Sequence, residues 1–115
     1  MLRDFARLSA ATRRSNLIRH VAMFSWTDEA TRDEIKTFVA KLATMPDAID
    51  LIRRYEHGED LGLGTATADY VLVADFDTIE DYWSYSGHPY HVDFLQKYAQ
   101  PIIASVARAQ YHVAP

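Results

Sequence analysis

Two segments of this chain, Ile18–Trp26 (IRHVAMFSW) and Tyr70–Phe76 (YVLVADF), carry apolar residues on both of their alternating faces, and this limits the possible folds more than any other feature. Successive side chains of an extended strand point to opposite sides. The first segment therefore sets Ile18, His20, Ala22, Phe24 and Trp26 against Val21 and Met23, and the second sets Tyr70, Leu72, Ala74 and Phe76 against Val71 and Val73. Strands of this kind need cover on two sides.

The segments between and after them supply cover for one side. In TDEATRDEIKTFVAKLATMP, Thr31 followed by Glu34 makes a capping box, and Ile35, Phe38, Val39 and Leu42 recur at helical spacing, which predicts a helix ended by Pro46. Ile49–Gly58 (IDLIRRYEHG) alternates as a second, more highly charged strand suited to a sheet edge. The stretch GEDLGLGTATAD holds three of the four glycines and predicts a loop. Thr78 predicts the cap of a short helix carrying Ile79, Tyr82 and Trp83, which Gly87 ends. A further helix opens at Pro89 with Val92, Leu95 and Ala99 as its apolar stripe, reaching to Pro101, and Ser105–Val113 returns to alternation as a last strand. The order βαββαβ predicts an α+β, ferredoxin-like fold with a four-stranded antiparallel sheet and helices on one face. The uncovered face exceeds the apolar patch a monomer usually exposes, so a two-fold homodimer is expected, with the face bearing His20 assigned to the partner.

A length of 115 residues fits one domain. With 12 Lys+Arg against 16 Asp+Glu the net charge is -4, so no general attraction to nucleic acid or anionic membrane is expected, and no apolar run approaches the ~20 residues of a spanning helix. The absence of cysteine excludes disulfides, thiolate ligands and cysteine nucleophiles and makes the cytoplasm the default location. Residues 1–16, with four arginines, one acid and no apolar signal core, read as an N-terminal extension to a domain at 17–115. Leu2, Phe5 and Leu8 have the spacing of an amphipathic turn, and no function is assigned to them.

Candidate chemistry concentrates in Tyr85-Ser86-Gly87-His88-Pro89-Tyr90-His91, which holds two of the five histidines at a helix junction. Imidazole exchanges protons near neutrality and a phenol can stabilise a developing oxyanion, so His91 is the candidate acid or base and Tyr85 the candidate donor. The structural alternative makes His88 a helix cap and His91 a packed helix-start residue. His20 is either a satisfied buried histidine or a pocket residue. The spacing of His88 and His91, with His20 as a third ligand, also suits a metal, but no acid is fixed beside them and none is assigned. The glycines do not follow a strand and open a helix, so nucleotide binding has no support, and no cofactor is expected.

Ile18-Arg19-His20-Val21 at the domain start, the acidic opening of the first helix, Gly58 at the end of the second strand, and Tyr85, His88, Pro89 and His91 together resemble the stress-responsive dimeric α/β barrel (Dabb) family over residues 18–113. The resemblance implies a homodimer whose two sheets close into a barrel, with helices outside and an inner cavity in each subunit. It includes the plant olivetolic acid cyclases, which close a poly-β-keto chain by aldol condensation. Their histidine–tyrosine pair would fall on His91 and Tyr85, as catalytic base and carbonyl-polarising donor, with substrate-binding histidines at His20 and His88. Two positions depart from the cyclases: Leu72 stands where they have another histidine, and His112 where they have an acid. The implied function is binding of a small, mostly apolar, oxygen-bearing molecule with cyclase- or lyase-like acid–base chemistry; the alternative is a non-enzymatic stress-response or assembly protein.

Overall fold

A computed structural model of the protein describes residues 17–65 and 68–114. Its elements run β1 (Ile18–Trp26), α1 (Arg32–Leu42), α2 (Met45–Ala48), β2 (Ile52–Glu59), β3 (Tyr70–Phe76), α3 (Ile79–Ser86), α4 (Pro89–Phe94), a wide π-helical turn (Leu95–Ala99) and β4 (Ile103–His112). The strands pair antiparallel in the order β2-β3-β1-β4. This is the expected ferredoxin-like α+β architecture: the two doubly apolar segments take the central positions and the charged β2 lies at an edge. The extension at residues 1–16 lies outside the described residues. Among those described, no helix is long and apolar enough to cross a membrane.

Local chemistry accounts for the boundaries. At the start of α1 the Glu34 amide donates to Thr31 Oγ1 at 3.1 Å while the Thr31 amide donates to Glu34 Oε1 at 2.9 Å, the reciprocal bonds of a capping box. Pro46 does more than stop this helix. α1 ends at Leu42, and Pro46 sits in the first turn of α2, where a missing N–H has no intrahelical partner to lose. That extra turn buries Met45 and Ile49 and delays β2 to Ile52, three residues beyond the start predicted from alternation. The helix opening at Pro89 also departs from its expected stripe. Val92 is exposed and Phe94 is buried in its place, while Leu95 and Ala99 pack on the core as expected; after Phe94 the helix widens into a π turn, closed by the Gln100 amide donating to the Leu95 carbonyl at 2.8 Å.

The core lies between the sheet and the helices. Phe38 is fully buried, with the rings of Trp26, Phe94 and Phe24 at 5.2, 5.2 and 5.5 Å. The strand register sets who shares this side: His20 stands opposite Ala74 and Gln110, and Ala22 opposite Leu72 and Arg108. His20 is therefore under the helices, 5.0 Å from the Tyr82 ring and 6.3 Å from that of Tyr85, and not on the face assigned to a partner. The helices cover the phase of β1 that carries Ile18, Ala22 and Phe24, and His20 belongs to that phase. The other face carries Val21, Met23, Val71 and Val73 around an ion pair in which Arg19 Nε and Nη2 donate to the two Asp75 carboxylate oxygens at 2.8 and 2.9 Å.

Candidate functional site

The break between α3 and α4 builds the site. Gly87 closes α3 by donating to the Trp83 carbonyl at 3.0 Å, and the Thr78 hydroxyl caps its start by accepting from Asp81 N at 3.0 Å. His88 Nδ1 accepts the Tyr90 N–H at 3.1 Å, making the His88 side chain the cap of α4. Tyr85 on the last turn of α3 and His91 on the first turn of α4 consequently meet, with ring centroids 4.4 Å apart and planes tilted by 39°.

Hydrogen bonding sets the state of each imidazole. His91 Nδ1 lies 2.9 Å from the Ser86 carbonyl oxygen, which can only accept; Nδ1 therefore carries the hydrogen and Nε2 keeps its lone pair. His20 has the opposite tautomer. Its Nδ1 accepts from the Gln110 side-chain amide at 2.9 Å, which places the hydrogen on Nε2. Burial pushes both imidazoles toward the neutral form, and the Arg108 guanidinium adds to this, bringing His20 down to about 4. Burial pushes the Tyr85 hydroxyl up, so it stays a protonated donor. A neutral base and a neutral acid thus stand together at neutral pH.

These groups converge on a cavity of about 250 Å³ between helices and sheet, lined by His20, Leu72, Tyr85, His91, Phe94 and Arg108 among others. Tyr85, His91 and His20 share it. His88 does not line it. Leu72, the position where the cyclases carry a further histidine, contributes apolar surface, and exposed His112 pairs across the sheet with Ile18 and is not part of the lining. The Ser86 carbonyl orients the His91 ring, and the side-chain charge that acts on both imidazoles, that of Arg108, is positive. Among the described residues no three His, Cys, Asp or Glu side chains are arranged to hold a metal.

Three contributors escaped the sequence reading. Arg108 and Gln110 join the site because β4 pairs with β1 in a register that sets them beside Ala22 and His20. Tyr55 joins from β2, opposite Ala74; its hydroxyl is buried, and after burial itself the neighbouring Tyr85 phenol acts on it most strongly. Alternation in the last strand carries the signal for Arg108 and Gln110, but it becomes legible only once the pairing is known.

A model of the Stress responsive A/B Barrel Domain family matches residues 18–113. A stress-response A/B barrel domain-containing protein of Arabidopsis thaliana is 28% identical over 101 residues, which are 87% of this chain and 38% of that protein. The chain thus spans well under half the length of this curated relative. Among solved structures, a dimeric ferredoxin-like protein of unknown function from Thermobifida fusca is 33% identical with a TM-score of 0.77, covering 84% of this chain and 91% of that one. The hydroxynitrile lyase of Passiflora edulis shares the fold at a TM-score of 0.77 and 14% identity, covering 86% of this chain and 94% of that one.

Proposed function

We propose, from the premise that this chain belongs to the stress-responsive A/B barrel domain family, that it works as a homodimer and binds a small, mostly apolar, oxygen-bearing molecule beside Tyr85 and His91 for proton-transfer chemistry of the lyase or cyclase type. The observation that carries the catalytic part is the fixed tautomer: the Ser86 carbonyl occupies Nδ1 of His91 and leaves Nε2 as a base in a cavity that also holds the neutral Tyr85 phenol. His91 Nε2 takes a proton from the carbon next to a carbonyl. The C–H electron pair moves into the enolate, and Tyr85 donates a hydrogen bond to the oxygen on which the charge develops. His20, with its hydrogen on Nε2, is a second donor for a substrate oxygen. His88 shapes the site by capping α4. Chemistry of this kind requires no cofactor.

The homodimer reading rests on the open sheet face. Val21, Met23, Val71 and Val73 form an apolar band there, and Leu61 and Leu63 of the adjoining loop are 80% and 89% exposed. A groove of about 480 Å³ runs between that loop and β2–β3. The Thermobifida fusca relative is a dimeric protein, which supports a dimer here. The absence of cysteine fits a cytoplasmic location.

A second reading, a non-enzymatic stress or assembly protein, is favoured by one observation: the bonds of His88 to Tyr90 and of His91 to Ser86 also lock the helix junction. Exchange of α-hydrogens in D₂O over a panel of aryl and alkyl β-diketones separates the two. Protein-dependent exchange that disappears in His91→Gln supports proton transfer at this site. No exchange, together with unshifted His20 and His91 imidazole signals across the panel, favours the second reading.

A further inference from the structure

We infer that the cavity takes an anionic ligand, an apolar body ending in a carboxylate, and that Arg108 at the cavity rim is the residue that selects it. This rests on the reading of the cavity as a ligand site. Four arginines of the described chain lie on the sheet. Arg19, Arg53 and Arg54 pair with Asp75, Asp77 and Glu56 at 2.8, 2.9 and 3.0 Å. The Arg108 side chain has no hydrogen bond or ion pair among the described residues, although it lines a cavity, and no acidic residue lines that cavity with it. Its register opposite Ala22 points it to the helix-facing side, the side of His20 and Tyr85.

A cation at the mouth of a small, mostly apolar concavity focuses its potential on whatever enters. The two imidazoles already register that field, since Arg108 is a cause of the lowered proton affinity of both. A guanidinium is a planar fork that meets a carboxylate through two parallel N–H···O bonds, a geometry a neutral carbonyl or hydroxyl does not match. A carboxylate held there would also offset the effect of Arg108 on His91, so that binding restores basicity to the imidazole beside it. The apolar part of the ligand would rest against Leu72 and Phe94.

Calorimetric titration of the full chain with 4-butylbenzoate and its neutral isostere 4-butylbenzamide, with His20 and His91 imidazole signals followed in parallel, tests this. The benzoate is expected to bind at least roughly tenfold more tightly, the margin of a charge-assisted bond over a neutral one. Arg108→Gln should remove the difference while leaving the benzamide affinity in place, and Arg108→Lys should keep part of it. Arg108 is exposed, and a circular dichroism spectrum checks that both variants are folded. If both probes bind and shift the imidazole signals equally, or the preference survives in Arg108→Gln, the anion inference is overturned and the cavity reading stands. If neither probe binds or moves those signals, both fall.

Discussion

The rings of Tyr85 and His91 lie 4.4 Å apart although a glycine, a helix break and a proline separate them along the chain. Their meeting depends on the caps on either side of that break. Gly87 ends α3 on the Trp83 carbonyl, His88 restarts the helix by accepting from Tyr90, and Ser86 fixes the ring of His91. The site is therefore built from helix-end chemistry, and its residues can be perturbed separately from the core beneath.

Tyr85→Phe should leave stability within about 1 kcal/mol of wild type, because it removes a hydroxyl and keeps the packed ring. The proposed proton transfer should fall by roughly 10²-fold with the loss of its oxyanion donor. His91→Ala should differ in kind: it loses the ring contact and the bond to Ser86 as well as the base, and chemical denaturation should show a cost of about 2 kcal/mol. Equal effects of Tyr85→Phe and His91→Ala on stability, with no effect of either on exchange, would count against the roles assigned.

Stability should fall as the solution is acidified below neutrality. His20 titrates at about 4 in the fold against 6.5 in the unfolded chain, so between these values the unfolded state binds a proton that the folded state refuses. Its contribution is complete above pH 6.5 and lost as pH drops toward 4, and the lowered His91 acts in the same direction. Urea unfolding at pH 5 should give a stability about 1–2 kcal/mol below that at pH 7.5. His20→Gln should flatten this part of the profile.

The open face can be tested without touching the cavity. Met23 is 40% exposed there, between Val71 and Ala107 on the neighbouring strands. Met23→Lys should give a folded protein that sediments as a monomer at micromolar concentration, where the wild type sediments as a dimer. A wild type that sediments as a stable folded monomer would remove the dimer from the proposal.

Asp75 is only 3% exposed although it lies on that open face, because Arg19 folds over it. Asp75→Ala strands the guanidinium of a half-buried arginine. The expected loss is about 2 kcal/mol by denaturant titration, and Arg19→Met should cost at least as much, since it leaves the more deeply buried Asp75 carboxylate under an apolar chain without its charge partner. A clearly smaller loss in Arg19→Met than in Asp75→Ala would contradict this account.

Thr31→Ala should cost about 1 kcal/mol, the usual worth of an N-cap, because it removes the hydroxyl that accepts the Glu34 amide and leaves only the backbone half of the capping box. Thermal melts of the variant and of Thr31→Ser, which keeps the acceptor, distinguish the lost cap from the loss of a methyl group.

The features legible in the chain are those whose causes are local. The capping box at Thr31 and Glu34, the cap at Thr78, the stop at Gly87 and restart at Pro89 each depend on residues within about four positions, and each forms where the spacing indicated. Strand phase is nearly as local, which is why β1 and β3 keep the bounds read from alternation. Pro46 shows the limit of such reading, because a proline that cannot continue one helix is equally suited to begin another. The stripe of Val92, Leu95 and Ala99 holds in part: Leu95 and Ala99 pack on the core, and Phe94 is buried in place of Val92.

Alternation along β1 and β3 established that both faces of the sheet need cover, and with it the fold class, from side-chain direction in single strands. Which face the helices take was decided by packing, and that choice moved His20 from the expected partner surface to the cavity beside Tyr82 and Tyr85. Cross-strand register decided the rest of the site: Arg108 stands beside Ala22 and Gln110 beside His20 only through a pairing between segments some ninety residues apart. Local sequence carries the direction of a side chain within its own strand, whereas its neighbour on the next strand depends on long-range pairing that no short window of the chain contains.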